Sequence, residues 1–305
     1  MRLWRIAVIS HYILNYTVAV AKFKTFSINI HGRLTTISRP WVMGILNVTP
    51  DSFYAGSRTP CNDAIATRAR QLLDEGADII DIGGYSSRQG ADDVTAAEEY
   101  DRLKRGIGIV RQLSADIPIS VDTFRADVAR RCVECDGADI INDISGGDLD
   151  ADMFSTVAGL HVPYIVMHMR GTPATMQQQC DYPHGVTAGV IAELGCKIDR
   201  LRQSGVCDII VDPGFGFSKT ISQNYELLND MAEFHILDLP LLIGVSRKSM
   251  IYKLLDTCPA ESLNGTTVLN TIALLGGVHI LRVHDVAQAV EAVKIVSALT
   301  KNYEY

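Results

Sequence analysis

Polar side chains recur at the ends of short apolar runs along this chain. In the stretch VMGILNVTPDSF (residues 42–53), an apolar run ends at Asn47 and a Thr-Pro-Asp turn follows. A polar residue where a rigid element opens into a loop is typical of a binding or catalytic site. The residues in this position, run by run, are Asn47, Asp81, Asp122, Asn142, His168, Asp212, Arg247 with Lys248, and Arg282 with His284.

Three of these residues offer acceptors that suit a flat heterocycle. Asp122, Asn142 and Asp212 supply two carboxylates and one amide, which together can bind a fork of N–H donors. Phe217, in the motif DPGFGF, offers a ring to such a ligand. Lys248 supplies a cation for a ring carbonyl or a carboxylate; a Schiff-base lysine is the alternative, although no carbonyl substrate is otherwise indicated.

Cationic and polar side chains point to a phosphate-bearing ligand. Arg282 and His284 alternate in the motif RVH and therefore face the same side of a strand. With Arg88 and Asn47 they could bind phosphate oxygens, the arginines through their planar forks. The alternative for Arg282 is an ion pair with a core carboxylate such as Asp285.

Eight apolar runs, separated by amphipathic segments, position these residues. Runs of Ile, Val and Leu with few interruptions are typical of parallel strands buried on both faces. The pattern predicts a (β/α)8 TIM barrel, whose active sites lie at the carboxyl ends of the strands. A doubly wound open sheet is the alternative, but no nucleotide-binding fingerprint is present. The predicted strands are residues 42–48, 79–83, 117–122, 140–144, 164–169, 209–212, 241–245 and 280–283.

Helices and a hairpin complete the predicted fold. Two short extended stretches, residues 26–31 and 34–37, predict an N-terminal β-hairpin around Gly32. The predicted helices include residues 63–75, 98–113, 225–234 and 287–299. The last of these is apolar on more than one face, which favours a homodimer.

The N-terminal residues form a separate segment in this prediction. We expect residues 1–25 to be an extension outside the fold and residues 26–305 to form one barrel domain. The run at residues 6–21 follows Arg2 and Arg5, so an export signal is the alternative. Polar residues interrupt this run, which is also too short to span a bilayer.

The composition indicates which binding partners and which cellular compartment to expect. The 305-residue chain has a formal net charge of −7, with 35 acidic and 28 basic residues, so neither nucleic acid nor an anionic membrane is an expected partner. Seven cysteines without framework spacing predict reduced thiols and a cytoplasmic protein. Cys132 and Cys135 form a lone C-x-x-C in a helical stretch, which provides only two of the four ligands that zinc needs.

The motifs together resemble the dihydropteroate synthase family of pterin-binding enzymes, in order from about residue 27 to the C-terminal helix. The matching motifs are VMGILNVTPDSF (42–53), DIGG (81–84), SVDT (120–123), INDISG (141–146), MHM (167–169), DPGFGF (212–217), SRKSM (246–250) and RVHD (282–285).

This resemblance implies a barrel enzyme that condenses 7,8-dihydropterin-6-ylmethyl diphosphate with 4-aminobenzoate to give 7,8-dihydropteroate and diphosphate in folate synthesis. It also implies a homodimer and a Mg²⁺ ion placed with the help of Asn47. The implied pterin contacts are Asp122, Asn142, Asp212, Lys248, Met167 and Phe217. The implied diphosphate contacts are Asn47, Arg88, Arg282 and His284. The implied aminobenzoate contacts are Phe53, Ser87, Gln89, Phe217, Lys248 and Ser249. Among them, Asp122, Lys248, Asn47, Arg282 and His284 are the expected catalytic residues.

Two alternatives share parts of this pattern. A pterin-binding methyltransferase domain has the same barrel and the same Asp-Asn-Asp contacts, but it has no need of the diphosphate cluster or the SRKS turn. A non-catalytic pterin-binding module would not need both loop motifs.

One segment departs from the family. After DIGG the family usually continues Glu-Ser-Thr-Arg-Pro-Gly, whereas this chain has Tyr85, two serines, Arg88, Gln89 and Gly90. Serine at 87 keeps the hydroxyl of threonine and loses a methyl group. Glutamine at 89 lacks the fixed φ of proline, so it allows the loop more freedom.

We therefore predict that Gln89→Pro changes how the enzyme discriminates aminobenzoate from sulfonamides, which mimic it. The measurement is the KM for aminobenzoate and the inhibition constant of a sulfonamide, in the variant and the parent. If both constants stay unchanged, Gln89 has no part in this discrimination.

Overall fold

The computed structural model describes residues 23–49, 58–85 and 94–300. Its first elements are two antiparallel strands, β1 (Phe26–Ile30) and β2 (Arg33–Ile37), which pair along their whole length. His31 and Gly32 form the turn with φ values of 53° and 71°, the left-handed region that short hairpin turns use. The predicted N-terminal hairpin is therefore confirmed.

Eight parallel strands then form a barrel. Their order in the sheet is β8-β7-β6-β5-β4-β3-β10-β9, and a parallel bridge between Val211 and Leu241 joins the first strand of this order to the last. The (β/α)8 TIM barrel is confirmed. The strands are β3 (Trp41–Asn47), β4 (Ile79–Gly83), β5 (Ile119–Asp122), β6 (Ile140–Asp143), β7 (Tyr164–Met167), β8 (Ile209–Asp212), β9 (Leu242–Ile243) and β10 (Ile280–Val283).

Helices follow the barrel strands and cover their outer faces. The α-helices of the described residues are α1 (Arg58–Asp74), α2 (Ala96–Leu113), α3 (Ala126–Asp136), α4 (Met153–Leu160), α5 (Val186–Gln203), α6 (Ile221–Asn229), α7 (Ser249–Tyr252), α8 (Leu263–Leu275) and α9 (Val286–Thr300). Short 3₁₀ helices span Met176–Gln178, Met231–Leu237 and Pro259–Glu261.

Two predicted helices, residues 63–75 and 225–234, begin earlier in the structure, at Arg58 and Ile221. Helix α6 begins four residues earlier because Thr220 caps it: the Thr220 hydroxyl accepts from Gln223 N at 3.2 Å, and Gln223 Oε1 accepts from Thr220 N at 2.8 Å. This is the reciprocal capping box that starts many helices. The helix ends at Asn229, and a 3₁₀ helix follows.

The two-residue period of the strands divides the barrel interior into layers. Ile79, Ile140, Ile165, Ile210 and Ile280 pack together in an apolar lower layer. The residue two positions later on each strand faces the same interior one layer higher. These upper residues are Asp81, Asn142, Met167, Asp212 and Arg282. The residues between them, such as Ile80 and Leu281, face outward and pack in the core that the helices cover.

The hairpin closes the lower end of the barrel. Ile28, Ile30 and Ile37 are at most 4% exposed and belong to the same cluster as the lower layer. Phe23 and Lys24 also contact this end, since Nε2 of His279 lies 3.0 Å from the Lys24 carbonyl and the Phe23 ring lies 4.8 Å from that of His279. Contacts with the barrel thus begin before residue 26, while the prediction for residues 1–22 lies outside the described residues.

Candidate active site

The centre of the upper layer is an arginine between two carboxylates. Arg282 donates from Nε to Asp81 Oδ2 at 2.6 Å and from Nη2 to Asp122 Oδ2 at 2.7 Å. Asp81 is fully buried, and the side chains of Arg282 and Asp122 are both 21% exposed. The two aspartates raise the pKa of Arg282 although burial opposes this, so the guanidinium is always charged.

The Asp122 carboxyl has a pKa close to neutral pH. Burial raises its pKa to about 7, the charge of Arg282 opposes the rise, and the nearby Asp81 carboxylate adds to it. Asp122 ends β5 and lies next to Gly83 in the ladder, which in turn lies next to Asn47. A carboxylate with such a pKa can change protonation in the physiological range.

Gly83 leaves open the space between Asn47 and Asp122. A Cβ at this position would lie 3.4 Å from Asn47 Oδ1 and 3.9 Å from Asp122 Oδ2. Two oxygen atoms, from the strands on either side of β4, therefore border the same small space. Oxygen donors of this kind, completed by phosphate oxygens and water, are what Mg²⁺ takes in proteins, so these residues fit the ion that the resemblance implies.

The other two predicted acceptors lie on β6, opposite β10 in the barrel, and on β8, which β9 separates from β10. Asn142 is 3% exposed and donates from Nδ2 to Asp81 Oδ2 at 3.2 Å. Asp212 is 6% exposed, and its Oδ1 accepts from Gly214 N at 2.8 Å. Burial raises the pKa of Asp212, while Lys248 opposes the shift. Asp122, Asn142 and Asp212 thus belong to one buried polar layer.

An aromatic and sulfur-rich wall borders this layer. Met167 belongs to an apolar cluster with Ile144 and Met169, and Phe217 packs against that cluster. Lys248 Nζ lies 4.7 Å from the centre of the Phe217 ring and donates to the Phe215 carbonyl. Burial lowers the pKa of Lys248 to about 8, against the opposing charge of Asp212. Ser249 follows directly as the first residue of α7.

His284 lies at the edge of the site, where its ring is uncharged and hydrogen-bonded. Its Nδ1 lies 3.0 Å from Ser246 Oγ, and its backbone N–H donates to the same oxygen at 3.1 Å. Burial and the charge of Arg282 lower its pKa to about 4, so the ring is neutral at pH 7. It therefore offers a hydrogen bond rather than a charge to a ligand.

Asp285 is not the partner of Arg282. It accepts from Arg247 Nε at 2.9 Å and from Arg247 Nη2 at 2.7 Å, outside the barrel centre. The predicted alternative, an ion pair of Arg282 with a core carboxylate, named the wrong partner in Asp285, which follows the end of β10 and binds Arg247 instead. The arginine is nevertheless paired, with Asp81 and Asp122.

His168 lies apart from the other strand-end residues. It comes one residue after the inward Met167, so it points outward, where its Nε2 lies 3.0 Å from Glu193 Oε2 of α5. Four predicted contacts, Phe53, Ser87, Arg88 and Gln89, lie outside the described residues.

Asp81 is a central residue of the site for which the sequence predicted no specific role. It accepts from both Arg282 and Asn142 through Oδ2 and so joins β4 to two other strands. Its position two residues after the inward Ile79 was the available signal, because the strand period places it in the upper layer.

The pterin binding enzyme family model matches residues 43–284, which include all eight strands of the barrel except the first two residues of β3, so the chain is a pterin-binding enzyme. Dihydropteroate synthase from Escherichia coli is 44% identical over 276 residues, which cover 88% of this chain and 94% of that protein. The chain belongs to the dihydropteroate synthase family, and it is accordingly a transferase of folate synthesis.

Solved structures agree with this assignment. The Xanthomonas albilineans dihydropteroate synthase with 4-aminobenzoic acid superposes with a TM-score of 0.83 at 35% identity, covering 91% of this chain and 99% of that one. The Yersinia pestis enzyme in a sulfonamide drug complex gives a TM-score of 0.83 at 38% identity, covering 90% of this chain and all of that one. The methyltransferase and non-catalytic alternatives are therefore not favoured.

We predict that Arg282→Gln destabilises the protein by about 3–5 kcal/mol at pH 8, because it leaves two carboxylates in the barrel without their counter-charge. The loss should be smaller at pH 5. Without Arg282 the already raised pKa of Asp122 rises further, and a carboxyl with a raised folded-state pKa loses stability as pH increases. Urea unfolding at both pH values measures this.

Arg33→Gln, on the exposed hairpin, is the control and should change stability little at either pH. Equal losses for Arg282→Gln at pH 5 and pH 8 would show that the ion pairs are not the cause.

Proposed function

We propose that this chain condenses 7,8-dihydropterin-6-ylmethyl diphosphate with 4-aminobenzoate, forming 7,8-dihydropteroate and releasing diphosphate. The observation that carries the proposal is the buried layer in which Asp122, Asn142 and Asp212 share the barrel mouth with Arg282 and Lys248. Family membership supplies the reaction, and the residue roles below are our assignment.

The pterin is held by the polar layer and the wall beside it. Asp122, Asn142 and Asp212 bind the ring through its N–H groups and nitrogen atoms, and Lys248 meets its carbonyl oxygen. Met167 and Phe217 cover the flat faces of the ring. Because these groups are buried before substrate arrives, an analogue that lacks the matching donors would leave them unpaired, and this gives selectivity.

The diphosphate is held on the β10 side by Asn47, Arg88, Arg282 and His284. Within the described residues Arg282 uses Nε and Nη2 for its two aspartates, so Nη1 remains for a phosphate oxygen. If Ser246 Oγ donates to Nδ1 of His284, the ring carries its proton on Nε2 and donates it to a second oxygen. Mg²⁺ held through Asn47 would neutralise charge on the leaving diphosphate.

Aminobenzoate is placed by Phe53, Ser87, Gln89, Phe217, Lys248 and Ser249. Lys248 Nζ lies 4.7 Å from the centre of the Phe217 ring and suits the carboxylate of aminobenzoate. With its pKa lowered to about 8, Lys248 is largely protonated at pH 7 and keeps the charge that this role needs. The aniline nitrogen is then free to face the pterin methylene carbon.

The residues fit a reaction in which the C–O bond to diphosphate breaks and the aniline nitrogen attacks the methylene carbon. The electron pair of the broken bond leaves with diphosphate, where Arg282 and His284 donate to it. The methylene carbon and ring become positively charged, and ionised Asp122 is the nearest counter-charge. Because an aniline nitrogen is already nucleophilic, the site needs no strong general base, and the proton that the nitrogen loses after the attack passes to the departing diphosphate or to water.

We further propose a homodimer formed by α8 and α9. These helices pack against each other, and both carry large apolar side chains exposed to solvent: Val268 (50%), Ile272 (42%), Ile295 (68%) and Leu299 (66%). An exposed apolar patch of this kind marks an interaction surface.

The location and the domain limits complete the proposal. The cysteines whose side chains are described are all free thiols, which supports the cytoplasm as the compartment. Among the described residues no helix is long and apolar enough to cross a membrane. We assign residues 26–305 to the barrel domain and residues 1–25 to an N-terminal extension.

The proposed reaction predicts that purified protein with Mg²⁺ releases diphosphate from the pterin substrate only when aminobenzoate is present, and that dihydropteroate appears in equal amount. A coupled diphosphate assay with chromatography of the product measures both. Reactions without aminobenzoate or with EDTA are the controls. Absence of both products would contradict the synthase assignment and favour a binding module.

A further inference from the structure

Lys219 is a buried lysine outside the charged centre of the barrel. It is 2% exposed, and its Nζ donates to the carbonyl oxygens of Gly214 and Phe217, both at 2.9 Å, and to Nδ1 of His168 at 3.0 Å. These three acceptors match the three protons of an ammonium group. Lysine is almost never buried this deeply without partners, so this arrangement is specific.

Lys219 is part of a set of side chains that holds the loop after β8. Each of the five consecutive carbonyl oxygens from residue 214 to residue 218 accepts a hydrogen bond from a side chain. Lys219 binds two of them, at Gly214 and Phe217. The others are bound by Lys248 (Phe215), by Gln177 (Gly216, 3.0 Å) and by Tyr182 (Ser218, 3.0 Å).

The backbone of this loop makes one hydrogen bond within residues 214–218, from Phe217 N to the Gly214 carbonyl at 3.1 Å, and its dihedral angles are irregular. Gly214, Gly216 and Ser218 have φ values of 72°, 80° and 51°, in the left-handed region. Such alternation directs carbonyl groups away from a regular ladder, and a serine in this region is unfavourable by itself. If the Lys219 ammonium is lost, the Phe217 carbonyl loses its donor and the Gly214 carbonyl keeps only the backbone N–H of Phe217, so the present shape of the loop becomes less favourable.

This loop carries two of the proposed substrate contacts. Gly214 N donates to Asp212 Oδ1 at 2.8 Å and fixes the orientation of that carboxylate. Phe217 lies beside Lys248 and packs against the Met167 cluster. We infer that Lys219 is a positioning residue for substrate binding, which holds the 214–217 turn so that Asp212 and Phe217 meet the pterin and aminobenzoate. The inference rests on the proposed roles of these two residues.

His168 connects Lys219 to Glu193 on the surrounding helix α5. Its Nδ1 accepts from Lys219, so the neutral ring donates from Nε2 to Glu193 at 3.0 Å. Burial lowers the pKa of His168 to about 4, which keeps the ring neutral at pH 7. Glu193 is also bound by Arg170, whose backbone N–H donates to Ser218 Oγ at 2.8 Å. The chain of contacts thus returns to the same loop.

The test is steady-state kinetics of Lys219→Met, which keeps the length of the side chain and removes its donors. We expect the KM for the pterin substrate and for aminobenzoate to rise about 10- to 100-fold, as small misplacements of binding groups do. We expect kcat to change less than about 3-fold, because binding contacts made equally in ground and transition states affect KM.

Variants of His168 keep the inference testable if Lys219→Met does not fold. His168→Gln retains an acceptor for Lys219 and a donor for Glu193, and it should keep both KM values near those of the parent. His168→Leu removes both and should raise them. His279→Leu is the matched control: His279 is also fully buried and bonded through both ring nitrogens, but at the hairpin end of the barrel. It should lower Tm and leave KM unchanged.

KM values within about 2-fold of the parent in folded Lys219→Met would overturn the inference, judged against the ~10-fold rise that misplaced binding groups cause. So would a His168→Leu variant whose KM values match those of His279→Leu. An inactive parent enzyme would instead contradict the proposed reaction, so the two failures are distinguishable.

Discussion

The buried ion pairs of Arg282 with Asp81 and Asp122 are the constraint on which the rest of the site depends. Burying charges costs several kcal/mol per ion, and their mutual attraction repays this only with good geometry. The observed distances of 2.6 and 2.7 Å satisfy that condition. A well-packed apolar layer would give comparable stability at this level of the barrel, so the charges are better explained by the reaction than by folding.

The apolar lower layer makes these charges effective. The isoleucine layer and the hairpin below it keep water from the lower end of the barrel. The ion pairs of Arg282 therefore lie in a medium of low dielectric constant, where electrostatic interactions are strong. The same burial raises the pKa of Asp122 to about 7 and lowers that of Lys248 to about 8. At physiological pH Asp122 is therefore near the midpoint between its charged and neutral forms, whereas Lys248 remains largely protonated.

Much of this arrangement follows from sequence periodicity. Apolar runs with polar ends predict the barrel, the hairpin and the upper layer, because strand alternation is a local property. The ion-pair partners of Arg282 cannot be predicted from this periodicity. Asp81 and Asp122 lie on other strands, and their distance from Arg282 depends on the register of β10, β3, β4 and β5. Sequence proximity instead favoured Asp285. The start of helix α6 was also mispredicted, because the spacing of apolar residues placed it at residue 225, whereas the Thr220 cap places it at Ile221.

The central claim is that ionised Asp122, paired with Arg282, acts during the reaction. Its most direct test is the pH dependence of kcat/KM for the pterin substrate, which reports groups of the free enzyme. Because the pKa of Asp122 is raised to about 7, kcat/KM should fall as pH decreases below that value, and Asp122→Asn should lack this acid limb. Deprotonation of Lys219 or Lys248 would give losses of the opposite sense, toward high pH. A parent profile that stays flat from pH 8 to pH 5, or an acid limb that persists in Asp122→Asn, would contradict the claim.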